Sequence, residues 1–214
     1  MRILCFGDSI TEGFHDTEGG GWCDRLKTHV FAKEVATDYS YDRTVINLGI
    51  SGDTTGDILR RVKAETESRV LKFPTQTHDV LLLAVGVNDS MFAMESRANE
   101  VSLETFQKNL QEIQRLTSEL VGQVVVVGIA PVVEERVQPM PWAPTLGYAN
   151  TEIKRYDEAL RQFASENGHV FIAMSDVFGN RIADYLPDGV HPNTAGHQLM
   201  FERIKLQLEA FDIL

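Results

Sequence analysis

The chain has 214 residues, 31 acidic against 20 basic, and a formal net charge of −11. That acidity argues against a nucleic-acid partner or an anionic lipid surface, both of which call for a basic face. A hydrophobic share of 43% and a charged share of 24% match globular averages, so a sizeable packed core is expected and disorder is not.

The opening run Met1-Arg2-Ile3-Leu4-Cys5-Phe6 holds too few apolar residues for a signal-peptide core. The longest apolar stretches, 80–87 and 124–133, fall well short of a membrane span. Two cysteines, Cys5 and Cys23, make no disulfide framework, so a cytoplasmic home is expected. An external one would require a leader.

A first strand is predicted over 2–6, followed by a helix in which Trp22, Leu26 and Val30 recur at four-residue spacing. A second strand over 44–48 leads to a helix capped by Thr54 or Thr55. The third strand, 79–85, precedes a helix with the stripe Leu103, Phe106, Leu110, Ile113 and Leu120. The fourth, 123–129, precedes one with Ile153, Tyr156, Leu160 and Phe163; the fifth, 169–173, precedes a last helix with Leu199, Ile204 and Leu208. The strand runs are continuously apolar, as suits strands covered on both faces. Alternating β and α elements predict a parallel sheet with helices on both sides. With no repeat and no linker-like composition, one domain over 1–214 is expected.

Two connections are long, 88–101 and 131–148, and both leave the carboxyl ends of strands, where open α/β sheets bind ligands. Met91, Phe92 and Met94 in one and Met140, Pro141 and Trp142 in the other are candidates for an acyl pocket or for packing the loops themselves.

Four short blocks carry chemistry. Gly7-Asp8-Ser9-Ile10, with Gly13, puts a serine on a turn after the first strand. Gly49-Ile50-Ser51-Gly52 follows the second strand, where Gly52 can turn a backbone N–H into a pocket. Gly86-Val87-Asn88-Asp89 follows the third; the Asn88 amide is a neutral donor able to reach an oxyanion. Asp188-Gly189-Val190-His191-Pro192 precedes the last helix, where Asp188 can accept the His191 Nδ1–H and leave Nε2 free to take a proton, and Pro192 suits the helix's first turn. Alone, each block is a common turn or cap. Together, at strand ends and in this order, they are not. A metal reading of Asp188 and His191 offers too few ligands. His15, His29, His78, His169 and His197 lack a comparable acidic partner in a motif and are expected to be structural or solvated.

On these blocks the sequence resembles the SGNH, or GDSL-like, hydrolase family over essentially its whole length. The resemblance implies a three-layer α/β/α, flavodoxin-like fold with five parallel strands ordered 2-1-3-4-5. It implies an esterase, lipase, lysophospholipase, thioesterase or carbohydrate acetylesterase working through an acyl-enzyme, without a cofactor, on a small-molecule ester or thioester. Ser9 would be the nucleophile, with Asp188 and His191 completing a triad and Ser9, Gly52 and Asn88 forming the oxyanion hole. Alternatives are an acyltransferase on the same site and a non-catalytic, flavodoxin-like ligand-binding domain.

Overall fold

The computed structural model describes residues 1–70 and 79–214; His78 lies outside them. Five parallel strands form one sheet: β1 (Arg2–Gly7), β2 (Thr44–Gly49), β3 (Val80–Ala84), β4 (Gln123–Val127) and β5 (Val170–Ile172). They stand in the order 2-1-3-4-5. Their carboxyl ends are level, since Gly7 of β1 pairs with Gly49 of β2 and with Ala84 of β3.

Side chains alternate across the sheet, which explains the uninterrupted apolar runs. Leu4, Phe6, Leu81, Leu83, Val124 and Val126 pack beneath three helices, α2 (Thr55–Arg69), α3 (Leu103–Thr117) and α4 (Asn150–Glu166). Their neighbours Ile3, Cys5, Val80, Leu82, Val125 and Val127 face the other way, against α1 (Gly21–Ala36) and α5 (Thr194–Ala210). The four-residue stripe of α1, Trp22, Leu26 and Val30, is wholly buried there. Each such buried aliphatic side chain contributes roughly 1.5–3 kcal/mol. The result is a three-layer α/β/α arrangement.

Three expected strands are shorter than their apolar runs. Val85 of the third, Gly128 and Ile129 of the fourth, and His169 and Ala173 of the fifth lie beyond the ladder, yet Val85 and Ile129 are buried where the chain turns over the sheet. The run therefore records burial, and pairing ends earlier. Thr54, not Thr55, caps α2, in a reciprocal capping box with Asp57.

The two long connections are not separate loops. Phe92–Ala93 pairs antiparallel with Leu146–Gly147, so the connections form two arms of one ribbon. Phe92 and Met140 are both buried, Met140 as part of the core beneath α2, α3 and α4. Arg97 lies over the Phe92 ring at 3.7 Å. Trp142 remains 53% exposed. Among the described residues no helix is long and apolar enough to cross a membrane.

Candidate active site

β1 ends at Gly7, and Asp8 then caps a one-turn helix, Ser9–Glu12, accepting the Ile10 N–H at 2.9 Å. This cap fixes the turn on which Ser9 sits. Asp8 is buried, and burial pushes its carboxyl up to about 7.

Asp188 and His191 belong to a tight turn ahead of α5. One Asp188 oxygen, Oδ1, accepts the Val190 and His191 N–H groups at 2.9 and 2.8 Å. The other, Oδ2, lies 2.6 Å from His191 Nδ1. Burial alone would raise this carboxyl, but the His191 ring and the two backbone N–H groups outweigh it and hold it down at about 2. The group is therefore an anion and accepts only, so the ring proton belongs on Nδ1. That leaves Nε2 as an acceptor, 2.9 Å from Ser9 Oγ. Residues from opposite ends of the sequence thus form one hydrogen-bonded chain. Pro192 lies two residues before the first helical position, Thr194: Asn193 caps α5 by accepting the Gly196 N–H, and Pro192 precedes that cap.

The Gly52 and Asn88 blocks are tied to the same end of the sheet. Gly49 closes β2 so near the Ser9 helix that a β-carbon there would fall 2.2 Å from the Glu12 nitrogen. Ile50 N–H donates to Gly7 O at 3.1 Å, and Glu12 accepts the Ser51 N–H at 2.8 Å together with the Ser51 hydroxyl. Gly52 takes a left-handed backbone, φ 86°, with open space where a side chain would project. Here glycine serves the backbone angle alone.

Asn88 sits in a one-turn helix, Val87–Ser90. Its Nδ2 donates to Asp53 O at 3.0 Å, and its Oδ1 accepts the Tyr148 hydroxyl at 3.1 Å. These partners fix the amide's orientation and leave its second N–H uncommitted. Burial raises the Tyr148 phenol far above its usual range, so it stays a neutral donor. Asp89, fully buried and pushed up to about 6 by that burial, accepts the Thr55 N–H at 3.0 Å. Asn109 donates to the Thr55 hydroxyl at 3.0 Å.

Several of these positioning groups escaped the sequence reading. Arg61 pairs with Asp53 at 2.7 Å and donates to Leu48 O at 2.8 Å, bracing the carboxyl end of β2. Its signal was there, in an arginine on the sheet-facing side of α2. Asp89 stood in the third block without a role and Tyr148 gave no signal, because their partners are remote in sequence.

The other histidines divide. His197 is fully buried, accepting the Trp22 N–H at 3.3 Å and donating to Phe14 O at 3.0 Å, so it is structural. His169 meets Gln114 at 2.8 Å, and His29 lies 3.8 Å from Glu209. His15 is exposed, and its Nδ1 is 3.7 Å from Asp188 Oδ2, a neighbour that no local motif announces.

The sequence pattern of the GDSL-like Lipase/Acylhydrolase family matches residues 5–199. The chain belongs to that family. It is 26% identical to an isoamyl acetate-hydrolyzing esterase 1 homolog of Bos taurus, over 95% of this chain and 79% of the relative. Among solved structures, a member of the lipolytic protein G-D-S-L family from Veillonella parvula DSM 2008 matches with a TM-score of 0.70 at 21% identity, covering 100% of both chains. Axe2, an acetylxylan esterase from Geobacillus stearothermophilus, matches with a TM-score of 0.69 at 20% identity, over 97% of this chain and 93% of that one. Both likenesses concern the fold. The family assignment makes this chain an ester-hydrolysing enzyme acting on a small-molecule ester.

Proposed function

We propose that the chain, acting as one domain over 1–214, cleaves its ester through an acyl-enzyme on Ser9, with His191 as general base and Asp188 as its orienting partner. The observation that carries this reading is the unbroken line Asp188 Oδ2, His191 Nδ1, His191 Nε2, Ser9 Oγ, with spacings of 2.6 and 2.9 Å. A serine hydroxyl is a weak nucleophile until a base takes its proton as the new bond forms. His191 Nε2 takes that proton while Ser9 Oγ bonds to the carbonyl carbon. Asp188 stays ionised and stabilises the imidazolium.

The carbonyl oxygen becomes an oxyanion, which the Ser9 and Gly52 N–H groups and the free Asn88 N–H receive. His191 returns the proton to the leaving alcohol as the carbon–oxygen bond breaks. Water then repeats the sequence in reverse and frees Ser9. An acyltransferase would differ only in the acceptor at this last step. The non-catalytic alternative leaves the hydrogen-bonded chain without a use.

The substrate reading favours a small acyl group. Phe92 and Met140 are buried and present little surface to a substrate. Exposed aromatic surface lies instead beside His191, with ring centres of Phe14 and Trp142 at 4.9 and 6.4 Å. That is the side on which the leaving alcohol departs, and flat apolar faces there suit a ring-bearing alcohol such as an acetylated sugar. The free thiols of Cys5 and Cys23, both buried, suit a cytoplasmic home.

A fluorophosphonate probe tests the chemistry directly: it should label Ser9 in the wild type and leave Ser9→Ala unlabelled. Equal labelling of both would remove Ser9 as nucleophile. A p-nitrophenyl series should favour acetate over octanoate in kcat/KM; the opposite ranking would sink the short-acyl reading.

A further inference from the structure

We propose that His15, Asp188 and His191 form a site for Zn2+ or a similar borderline transition-metal ion, and that an ion bound there switches hydrolysis off. The switching step rests on the roles given above to His191 and Ser9; the binding site does not.

One ligand atom from each of the three residues can be chosen so that all lie within 4.8 Å of one another. His15 Nδ1 and Asp188 Oδ2 are 3.7 Å apart, too far for a hydrogen bond. Two ligands of a tetrahedral zinc, with bonds of about 2.0–2.1 Å, stand about 3.3 Å apart, so the His15–Asp188 pair must close slightly while the Asp188–His191 pair, 2.6 Å apart, must open as the ion takes the place of its hydrogen bond. Two imidazoles and a carboxylate are ligands that zinc accepts, and three protein ligands leave a fourth position for water.

The His15 side chain is 38% exposed, against 20% for Asp188 and 16% for His191, so an ion enters past His15. His15 also holds a left-handed backbone, φ 69°, which is unfavourable for a residue with a β-carbon. From there its ring stands edge-on to His191, centres 5.4 Å apart.

Inhibition follows from the tautomer. In the metal-free site His191 carries its proton on Nδ1, and Nε2 offers the lone pair that accepts the Ser9 proton. A metal bonded to Nδ1 uses the lone pair of that nitrogen, so the single proton of the neutral ring moves to Nε2. Nε2 is then a donor and can no longer act as base. Asp188 Oδ2 exchanges its hydrogen bond to the ring for a bond to the metal. Nothing is covalently changed, so removing the ion restores the original tautomer.

Zinc sulfate in a non-chelating buffer tests this by calorimetry and by hydrolysis of p-nitrophenyl acetate. One zinc per chain is expected in both the wild type and Ser9→Ala. Added zinc should suppress wild-type hydrolysis, and EDTA should restore it. His15→Gly removes the ligand and suits the left-handed backbone; it should weaken zinc binding, and raise the inhibiting concentration, by at least about tenfold. His29→Gln, at the imidazole beside Glu209, should change neither. The proposal is overturned by absence of stoichiometric binding, by equal affinity in wild type and His15→Gly, or by loss of binding in His29→Gln. Calorimetry on Ser9→Ala reads the metal without turnover, so failure of the site and failure of the hydrolytic reading remain separate results.

Discussion

Asp188 and His191 are three residues apart and orient each other within one turn, whereas Asn88 owes its orientation to partners 35 and 60 residues away. The Gly52 block is likewise held from a distance, by Glu12 across 39 residues. The base side of the site is thus a local device whose mutual orientation is set within one turn, joined to Ser9 by one hydrogen bond. The oxyanion side is distributed over β1, α2, α3 and the arm that carries Tyr148. A local device should fail all at once when one member goes. A distributed one should degrade in steps as its remote supports are removed.

The steepest expected loss lies on the local side. Ser9→Ala or His191→Ala should lower kcat by about 10⁴-fold or more, with an unchanged circular dichroism spectrum. Retention of even a tenth of the wild-type rate in either variant would end the contrast. Asn88→Ala should cost about 10²–10³ in kcat with little change in KM, because the oxyanion exists mainly in the transition state. A rise in KM alone would mean that Asn88 binds substrate instead. Tyr148→Phe removes only the hydroxyl that aims Asn88, one hydrogen bond worth about 1 kcal/mol, so kcat should fall roughly three- to tenfold. A loss as large as that of Asn88→Ala would make the oxyanion side as brittle as the triad.

The smallest effect is on stability, where two nearby carboxylates pull in opposite directions. Asp8 sits at about 7 when folded, above its ordinary value, so the folded state holds its proton more tightly. That contribution is present below about pH 4 and is lost as pH rises toward 7. Asp188, held at about 2, does the reverse: its contribution is present above about pH 4 and is lost as pH falls toward 2. In Asp8→Asn, the decline in urea midpoint between pH 4 and 7 should flatten, though not vanish, because Asp89 is raised to about 6 and acts in the same sense. An unaltered slope would show that Asp8 keeps an ordinary carboxyl.

What could be read from the sequence follows the same divide. The strands were legible because each is covered on both faces, and their order came with the family resemblance. The ends were not, since Val85 and Ile129 stay buried after pairing stops. The site residues were legible where a motif and its function share one turn, as at Asp8-Ser9 and Asp188 to His191. They were illegible where the partner is supplied by folding: His15 beside Asp188, Tyr148 on Asn88, and Asp89 on Thr55. The helix α2 was foreseen from its cap and not from a stripe, because its buried face is only Thr55, Ile58, Val62 and Thr66.

The pairing of Phe92–Ala93 with Leu146–Gly147 has a practical consequence for redesign. Grafting one arm from a homologue to alter substrate preference would import half of a two-part clasp. Its strand would meet an unmatched register, and the Phe92 ring would lose its fit against Gly147, where an added β-carbon would already stand 3.4 Å from it. Exchanged as a set, the arms bring their own seam with them and leave the sheet beneath undisturbed.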